Sequence, residues 1–358
     1  MAIRYVFVTL RRMKGLAIFA TVALSAFAFA GCRHEARYVT VDGAMLGTTF
    51  HVVACTDRSP KEIYAGIMRI DGEAKASMSI FDEQSLLSRI NANLTDSADC
   101  HILRNIAVAS DIHRISGGMY DITVKPLTEA YGFAAKHATA QPDIDSLLQF
   151  VGMSRLHVEG NRIVKDDERV QLDLNSIAKG YTVDMVAEFL ESKGVADYIV
   201  EIGGEIRARG INGKGRKWRV AIDAPFDGND SPGAYMQTTV DVSDAALATS
   251  GNYRRFHTDS QGRKIAHTIN PLTGESVCSR LLSATVVTRD CTTADALGTM
   301  FMALGEQRAI EMATQMRDSV QVYFILAPEH DADAEYEIFS TLDESTANDK
   351  PNTQNTDK

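Results

Sequence analysis

The sequence predicts an α+β fold from three observations. Helical and extended patterns do not alternate in a regular βαβ rhythm, which excludes a doubly wound parallel sheet. Amphipathic helix patterns crowd the first half, whereas the stretch from 206 to 288 is almost wholly extended. Between them lies the segment 172–205, which mixes a strand, a helix and a second strand and carries charge where burial is expected. Asp173, Lys179, Glu201 and Glu205 all fall inside or beside its apolar runs. Buried charge needs partners or a ligand, so a site is expected there.

The elements follow in order. Residues 45–50 lead into a strand reaching Cys55. Ser59-Pro60-Lys61-Glu62 is a capping box with proline at the first helical position; the helix it opens carries Ile63, Ile67 and Ile70 inward to about Ser77. A loop at 78–82 precedes a short helix ending at Asn91, and a longer helix over 103–116 stops at Gly117-Gly118. After a loop at 134–142 come a short helix (143–150) and strands at 155–158, 162–165 and 170–174. The next helix buries Val183, Val186, Phe189 and Leu190 and ends at Gly194; a strand through Tyr198, Val200 and Ile202 breaks at Gly203-Gly204. Strands at 206–209, 217–223, 236–242, 246–249, 253–258 and 264–269 lead to a tight turn at 270–274. A strand (281–288), two helices (293–304 and 306–316) and a last strand (320–326) complete the pattern.

The ends differ from this middle. Arg4, Arg11, Arg12 and Lys14 precede an apolar run from Leu16 to Ala30, and small residues lead directly to Cys32. Residues 1–31 therefore read as a bacterial lipoprotein signal, with Cys32 the lipidated first residue; an ordinary signal peptide or anchor helix is the alternative, and either way an exported chain is expected, with 32–42 a tether and 43–328 the folded domain. From 329 to 358 the chain is acidic and poor in large apolar residues, and disorder is expected. The chain carries a formal charge of −10, which becomes −14 without the four basic signal residues. Such acidity excludes a phosphate-tracking basic stripe and so nucleic acid as the main partner. Cys55, Cys100, Cys278 and Cys291 show no metal spacing; free thiols are expected, with one disulfide left open.

Spacing carries the chemistry only part of the way. Asp295 and Thr299 share one face of a helix's first turns. With loop carbonyls they make an all-oxygen set suited to Mg²⁺, although spacing alone favours Asp295 merely offsetting the helix dipole, with Thr299 a core-edge hydroxyl. The pairs Gly117-Gly118 and Gly203-Gly204 match no nucleotide fingerprint. His267 stands before a turn; a lone histidine in a strand is more often structural than catalytic.

In combination, however, the motifs resemble the ApbE family, the FAD:protein FMN transferases of the bacterial envelope. Met45-Leu46-Gly47-Thr48 is similar to the family's MGT strand, and Met78-Ser79 through Asn91 to its serine-rich stretch. Gly117-Gly118-Met119-Tyr120-Asp121-Ile122-Thr123 is similar to GG-x-[FY]-D-x-T, and Tyr131-Gly132-Phe133 to the WGF that follows. The runs 172–181, 200–205, 250–253, 267–274 and 294–299 resemble DLGGIAKGY, V-x-x-GG-[DE], SG-[ND]-Y, H-[IT]-[IL]-[ND]-P-x-TG and AD-[AG]-x-x-T, in family order.

The resemblance implies a T-fold-like architecture of mixed or antiparallel sheets with packed helices. It implies Mg²⁺ held by Asp295, Thr299 and backbone oxygen at Ser176, with the Gly298 carbonyl nearby. The family usually has Gly or Ala at Ser176 and Gly at Asn175; a carbonyl ligand tolerates the first change. FAD is expected along Met45, Phe81, Met119, Tyr120, Asp121, Asp173, Lys179 and Ile269. The implied reaction moves FMN from FAD to a Thr or Ser hydroxyl of an envelope protein bearing a D-x-x-[ST]-G-A-[ST] motif, and AMP leaves. His267 is the candidate for assisting proton transfer, since an ordinary imidazole pKa near ~6.5 suits neutral pH. The alternatives are hydrolysis of FAD to FMN and AMP in the same site, or FAD storage without turnover.

Overall fold

The structure, a computed structural model, describes residues 37–133, 143–226, 235–252, 256–258, 264–329, 336–342 and 347–348. The signal segment, Cys32 and the expected loop at 134–142 lie outside these residues. In chain order the first elements are β1 (Arg37–Met45), β2 (Thr48–Thr56), α1 (Pro60–Met78), α2 (Leu86–Asn91), α3 (Cys100–Ser116), α4 (Lys125–Ala130) and α5 (Ile144–Leu148). Next come β3 (Leu156–Glu159), β4 (Arg162–Lys165), α6 (Ala178–Ser192), β5 (Tyr198–Ile202), β6 (Glu205–Arg209), β7 (Trp218–Asp223), β8 (Met236–Val242) and β9 (Ala245–Gly251). Last are β10 (Phe256–Thr258), β11 (Lys264–Ala266), β12 (Leu281–Thr288), α7 (Cys291–Leu304), α8 (Glu306–Met316), β13 (Gln321–Leu326), β14 (Glu337–Ser340) and β15 (Ala347–Asn348).

Eight strands form the main sheet in the order β1-β2-β5-β6-β9-β12-β13-β14. Every pairing from β2 to β14 is antiparallel, and helices cover one face, so the α+β expectation holds. The opposite face meets the small β15-β8-β7 sheet through Trp218, Val220 and Val240 against Ile206, Leu247 and Ile325. On the helical side α7 is buried almost all round, as an apolar helix in the middle of a domain must be. It packs against β9, β12, α3, α6 and α8.

Two boundaries differ from expectation. The tether ends earlier: Val39 and Val41 alternate inward from Arg37, so residues 37–42 belong to strand β1. The acidic segment is not wholly without structure. Ile338 and Phe339 lie in β14 at the sheet edge, where the Phe339 ring meets that of Phe324, and Arg280 pairs with Glu306, Glu329 and Glu337. Short apolar alternation and one arginine outweigh the acidic composition there.

The expected strand at 170–174 is extended but forms no ladder. Gln171 makes a single parallel bridge to Val124, and Asp173 N–H donates to the Ile122 carbonyl at 2.7 Å. The other side of this segment is held by one buried side chain. Asn91 Nδ2 donates to the Leu172 carbonyl at 2.8 Å, and its Oδ1 accepts from Leu172 N–H at 2.7 Å. The amide thus replaces a strand neighbour and fixes the approach to α6. Asn91→Ala leaves two buried backbone groups unpartnered and is expected to destabilise the protein by about 2–4 kcal/mol, read as a lower urea midpoint at unchanged m.

Candidate active site

The site is built where α6 begins. Its first residues follow the Leu174–Ile177 turn, and Ile177 offers no side-chain cap. The missing cap comes from elsewhere in the chain: Gly180 N–H donates to Asp295 Oδ2 of α7 at 2.9 Å. The two helices touch so closely that a Cβ on Gly180 would stand 2.3 Å from the Cys291 carbonyl oxygen and 2.7 Å from Asp295 Cβ. Only glycine fits. Gly298 is constrained in the same way, since a Cβ there would lie 2.8 Å from Ser250 Oγ on β9.

The contact runs in opposite directions along the two helices. Gly180 meets Asp295, and Asp184 meets Cys291 and Thr292. The two helices therefore pack antiparallel from their first turns. Ser176 Oγ is 3.0 Å from Tyr120 Oη, and Thr299 Oγ1 is 3.5 Å from Ser250 Oγ. The Gly117-Gly118 turn after α3, with φ of 64° and 89°, delivers Met119 and Tyr120 to this place. Its glycines are required at those angles.

Lys179 reaches across to the β5–β6 hairpin. Its Nζ lies 2.6 Å from Glu205 Oε2 and 3.4 Å from the Gly203 carbonyl. Gly203 and Gly204, at φ 60° and 102°, form a two-residue turn suited to the twist of its strands, so this pair shapes a hairpin. Glu201, unassigned from sequence, accepts from Gly204 N–H at 2.6 Å and closes that turn.

Burial dominates the electrostatics. Asp295 is 6% exposed and its pKa is raised by burial, with Lys179 and the Gly180 N–H opposing the shift. Glu205, 3% exposed, is pushed up to about 8 by burial and the Asp295 charge, against the pull of Lys179. Burial likewise raises Asp173, although Asn175 N–H, Thr128 and Lys125 stabilise its charged form, and it raises the Tyr120 phenol. Among the described residues, two buried carboxyl groups, Asp295 and Glu205, thus share one ammonium, that of Lys179. Ionising both would leave negative charge beside hydroxyl oxygens, a setting that fits a hard divalent cation. Among the described residues no three His, Cys, Asp or Glu side chains cluster, so a metal here would rest on a mixed oxygen set.

The other expected residues divide by exposure. Phe81 is 64% exposed, on a loop tied down by Ser85 and Ser88 hydroxyls donating to the Ser79 carbonyl, and is free to meet a flat ring. Met45 is 1% exposed and packs in the core with Phe50 and Ile70, so its side chain is not presented to a ligand. Asp121 is engaged inward: its carboxylate accepts from Thr123 N–H and Oγ1 and from Met153 N–H. Ile269 is buried with Leu127 and Val151. His267 lies beyond β11 with its ring edge-on to Phe133, 6.3 Å between centroids. The adjacent Thr268 hydroxyl donates to Asn252 Oδ1 at 2.7 Å, tying this turn to the strand end that carries Ser250. All four described cysteines are free thiols.

Sequence reasoning missed Asp184, Ser250 and Asn252 as supporting residues and left Glu205 without a role. The signal for Asp184 was present, since it falls between Val183 and Val186 on the buried face of α6.

With this geometry the comparisons are specific. The model of the ApbE family matches residues 46–324. The chain belongs to the ApbE family. It is 34% identical over 297 residues to the FAD:protein FMN transferase of Vibrio cholerae, covering 79% of this chain and 86% of that one. The Haemophilus influenzae protein of the same name is 32% identical over 317 residues, covering 84% and 90%. Among solved structures, the flavin transferase ApbE from Vibrio cholerae superposes with a TM-score of 0.72 at 31% identity, over 85% of this chain and 97% of that one. Apo ApbE flavinyl transferase from Pseudomonas stutzeri gives 0.75 at 27% identity, over 86% and 96%. This ApbE-family chain thus shares its fold with these relatives.

The raised Glu205 pKa sets a direction for stability. The folded carboxyl keeps its proton up to about 8, whereas the unfolded one loses it near 4.5. Between those values the folded state binds more protons, so metal-free protein loses stability as pH rises and levels off above the upper value. In EDTA, Glu205→Gln is expected to flatten the fall of Tm between pH 5 and pH 8; parallel wild-type and variant curves would remove Glu205 as the source.

Proposed function

We propose that this chain transfers FMN from FAD to a threonine or serine hydroxyl of an acceptor protein, releasing AMP. The observation that carries the reading is the buried Asp295–Lys179–Glu205 arrangement at the head of α6, in a chain whose relatives are named FAD:protein FMN transferases. FAD hydrolysis or storage would use the same groups, and the experiment below separates them.

The residues divide the work. Phe81, exposed to solvent, would serve as a stacking surface for the isoalloxazine ring, and the buried Met119, Tyr120, Asp173 and Ile269 would line the flavin site. Asp121 acts there by holding its loop, and Met45 by filling the core. Lys179, held by Glu205, directs its ammonium to the pyrophosphate. Asp295, the Thr299 hydroxyl and the carbonyls of Ser176 and Gly298 are the oxygens that would hold Mg²⁺, which when bound neutralises phosphate charge. The acceptor oxygen attacks the FMN phosphorus, and a new P–O bond forms as the bond to the AMP oxygen breaks. His267 receives the hydroxyl proton, and AMP departs with the bonding pair. Cys32 would anchor the protein by lipid to the bacterial envelope, facing the periplasm, where acceptors with a D-x-x-[ST]-G-A-[ST] motif are electron-transport subunits.

Incubation of the mature protein with FAD, Mg²⁺ and a peptide carrying that motif should add the mass of FMN to the peptide. Free FMN and AMP alone would indicate hydrolysis, and intact bound FAD would indicate storage. Asp295→Ala is expected to lower transfer by about 10²-fold or more; undiminished transfer would remove the metal assignment. His267→Gln should lower kcat by about 10²–10⁴-fold with little change in KM for FAD, measured as AMP release.

A further inference from the structure

Asp184 has no part in binding flavin or phosphate, yet it is among the most heavily bonded side chains of the helical layer. It is buried, 3% exposed, in the middle of α6. Its Oδ1 accepts from Cys291 N–H at 3.0 Å and from Arg207 Nη1 at 2.9 Å. Its Oδ2 accepts from Thr292 N–H at 2.8 Å and from Thr292 Oγ1 at 2.5 Å. Cys291 and Thr292 are the first two residues of α7, whose third N–H, that of Thr293, goes to its own cap, Asp290, at 2.8 Å. Asp184 therefore satisfies the two leading orphan donors of α7 that the local cap cannot reach.

The exchange is reciprocal. Asp295 of α7 accepts from Gly180 in the first turn of α6, and Asp184 of α6 accepts from the first turn of α7. Each helix is capped by an aspartate of the other, one turn apart along an antiparallel contact. Two points of attachment fix both the separation and the rotation of α7 about its axis, whereas one would leave the rotation free. The rotation decides where Asp295 and Thr299 point.

We infer that Asp184 is a positioning residue for the cation site: it sets the phase of α7 so that Asp295 and Thr299 converge with the oxygens at the head of α6. Its carboxylate is matched to four donors, so asparagine cannot replace it. Whichever way an amide is turned, its NH₂ faces a group that also donates. Arg207, which also approaches Glu191 at 3.4 Å, balances the buried charge from strand β6 without entering the site. Groups that orient metal ligands typically change metal affinity by about 10–100-fold when lost.

This inference rests on the proposed Mg²⁺ site, and the experiment keeps the two apart. Mg²⁺ binding to the mature protein is measured by calorimetry without FAD or acceptor, with Mn²⁺ electron paramagnetic resonance as a second probe. FMN transfer is then followed against Mg²⁺ concentration. Asp184→Asn should weaken Mg²⁺ binding at least ~10-fold, with kcat largely recovered at saturating Mg²⁺. Thr292→Val, which removes one donor and keeps the side chain's shape, should shift affinity the same way by a smaller factor. Val220→Ala, in the small sheet behind the main one, should lower Tm without moving Mg²⁺ affinity. Unchanged affinity in Asp184→Asn, or equal weakening in Val220→Ala, would overturn the positioning role. A wild-type protein that binds no Mg²⁺ would instead remove the metal reading beneath it.

Discussion

The site depends on one close contact, that between the first turns of α6 and α7. Backbone N–H groups at a helix start have no partner within the helix, and buried ones must find one. Here they find carboxylates of the neighbouring helix: Gly180 bonds to Asp295, and Cys291 and Thr292 bond to Asp184. The contact requires glycine at 180, because any Cβ would enter the Cys291 carbonyl. Segments more than a hundred residues apart are thereby brought into one register. Asp295 caps α6 with one carboxylate oxygen, Oδ2.

The second constraint is charge. Asp295 and Glu205 are both buried, and both carboxyls are held above their ordinary range. Lys179 sits between the Glu205 carboxylate and the Gly203 carbonyl, which restrains a long side chain that would otherwise lose rotamer freedom on meeting a ligand. The hairpin that brings Glu205 to Lys179 is itself held by Glu201, whose carboxylate accepts from Gly204. Polar residues of 172–205 that look costly in the sequence are thus each accounted for by a neighbour in space.

Much of this was legible in the chain and some was not, for physical reasons. Periodicity located α1, α6 and most strands because one face of each is buried, whereas α7 is apolar almost all round. The capping box at Ser59 located its helix start because the cap is local. The starts of α3 and α7 lie earlier than the apolar pattern indicated, since Asp99 and Asp290 cap them ahead of the first apolar positions. The extended run at 170–174 looked like a strand because its alternation is real, but its partners are a side-chain amide and a loop. No local pattern reports that. Strand β14 was hidden by acidic composition, because only four residues pair and their support comes from Arg280 and Phe324. Asp295, Thr299 and Lys179 are site candidates by motif, and no motif shows that Asp295 caps a second helix. The roles of Asp184 and Glu205 depend wholly on tertiary contact.

The charge surplus also bears on how the site relates to the fold. Without a cation, Asp295 and Glu205 repel each other in a low-dielectric setting, and protonation is the relief available to them. A divalent cation among the same oxygens removes that repulsion, so binding it and keeping the α6–α7 contact closed favour one another. A ligand that binds only the folded state stabilises it by mass action. The same carboxylate that caps α6 would hold the ion, which makes helix register and cation affinity a single property of the structure. On the proposed cation reading, substitutions at the contact act first on metal affinity and through it on catalysis.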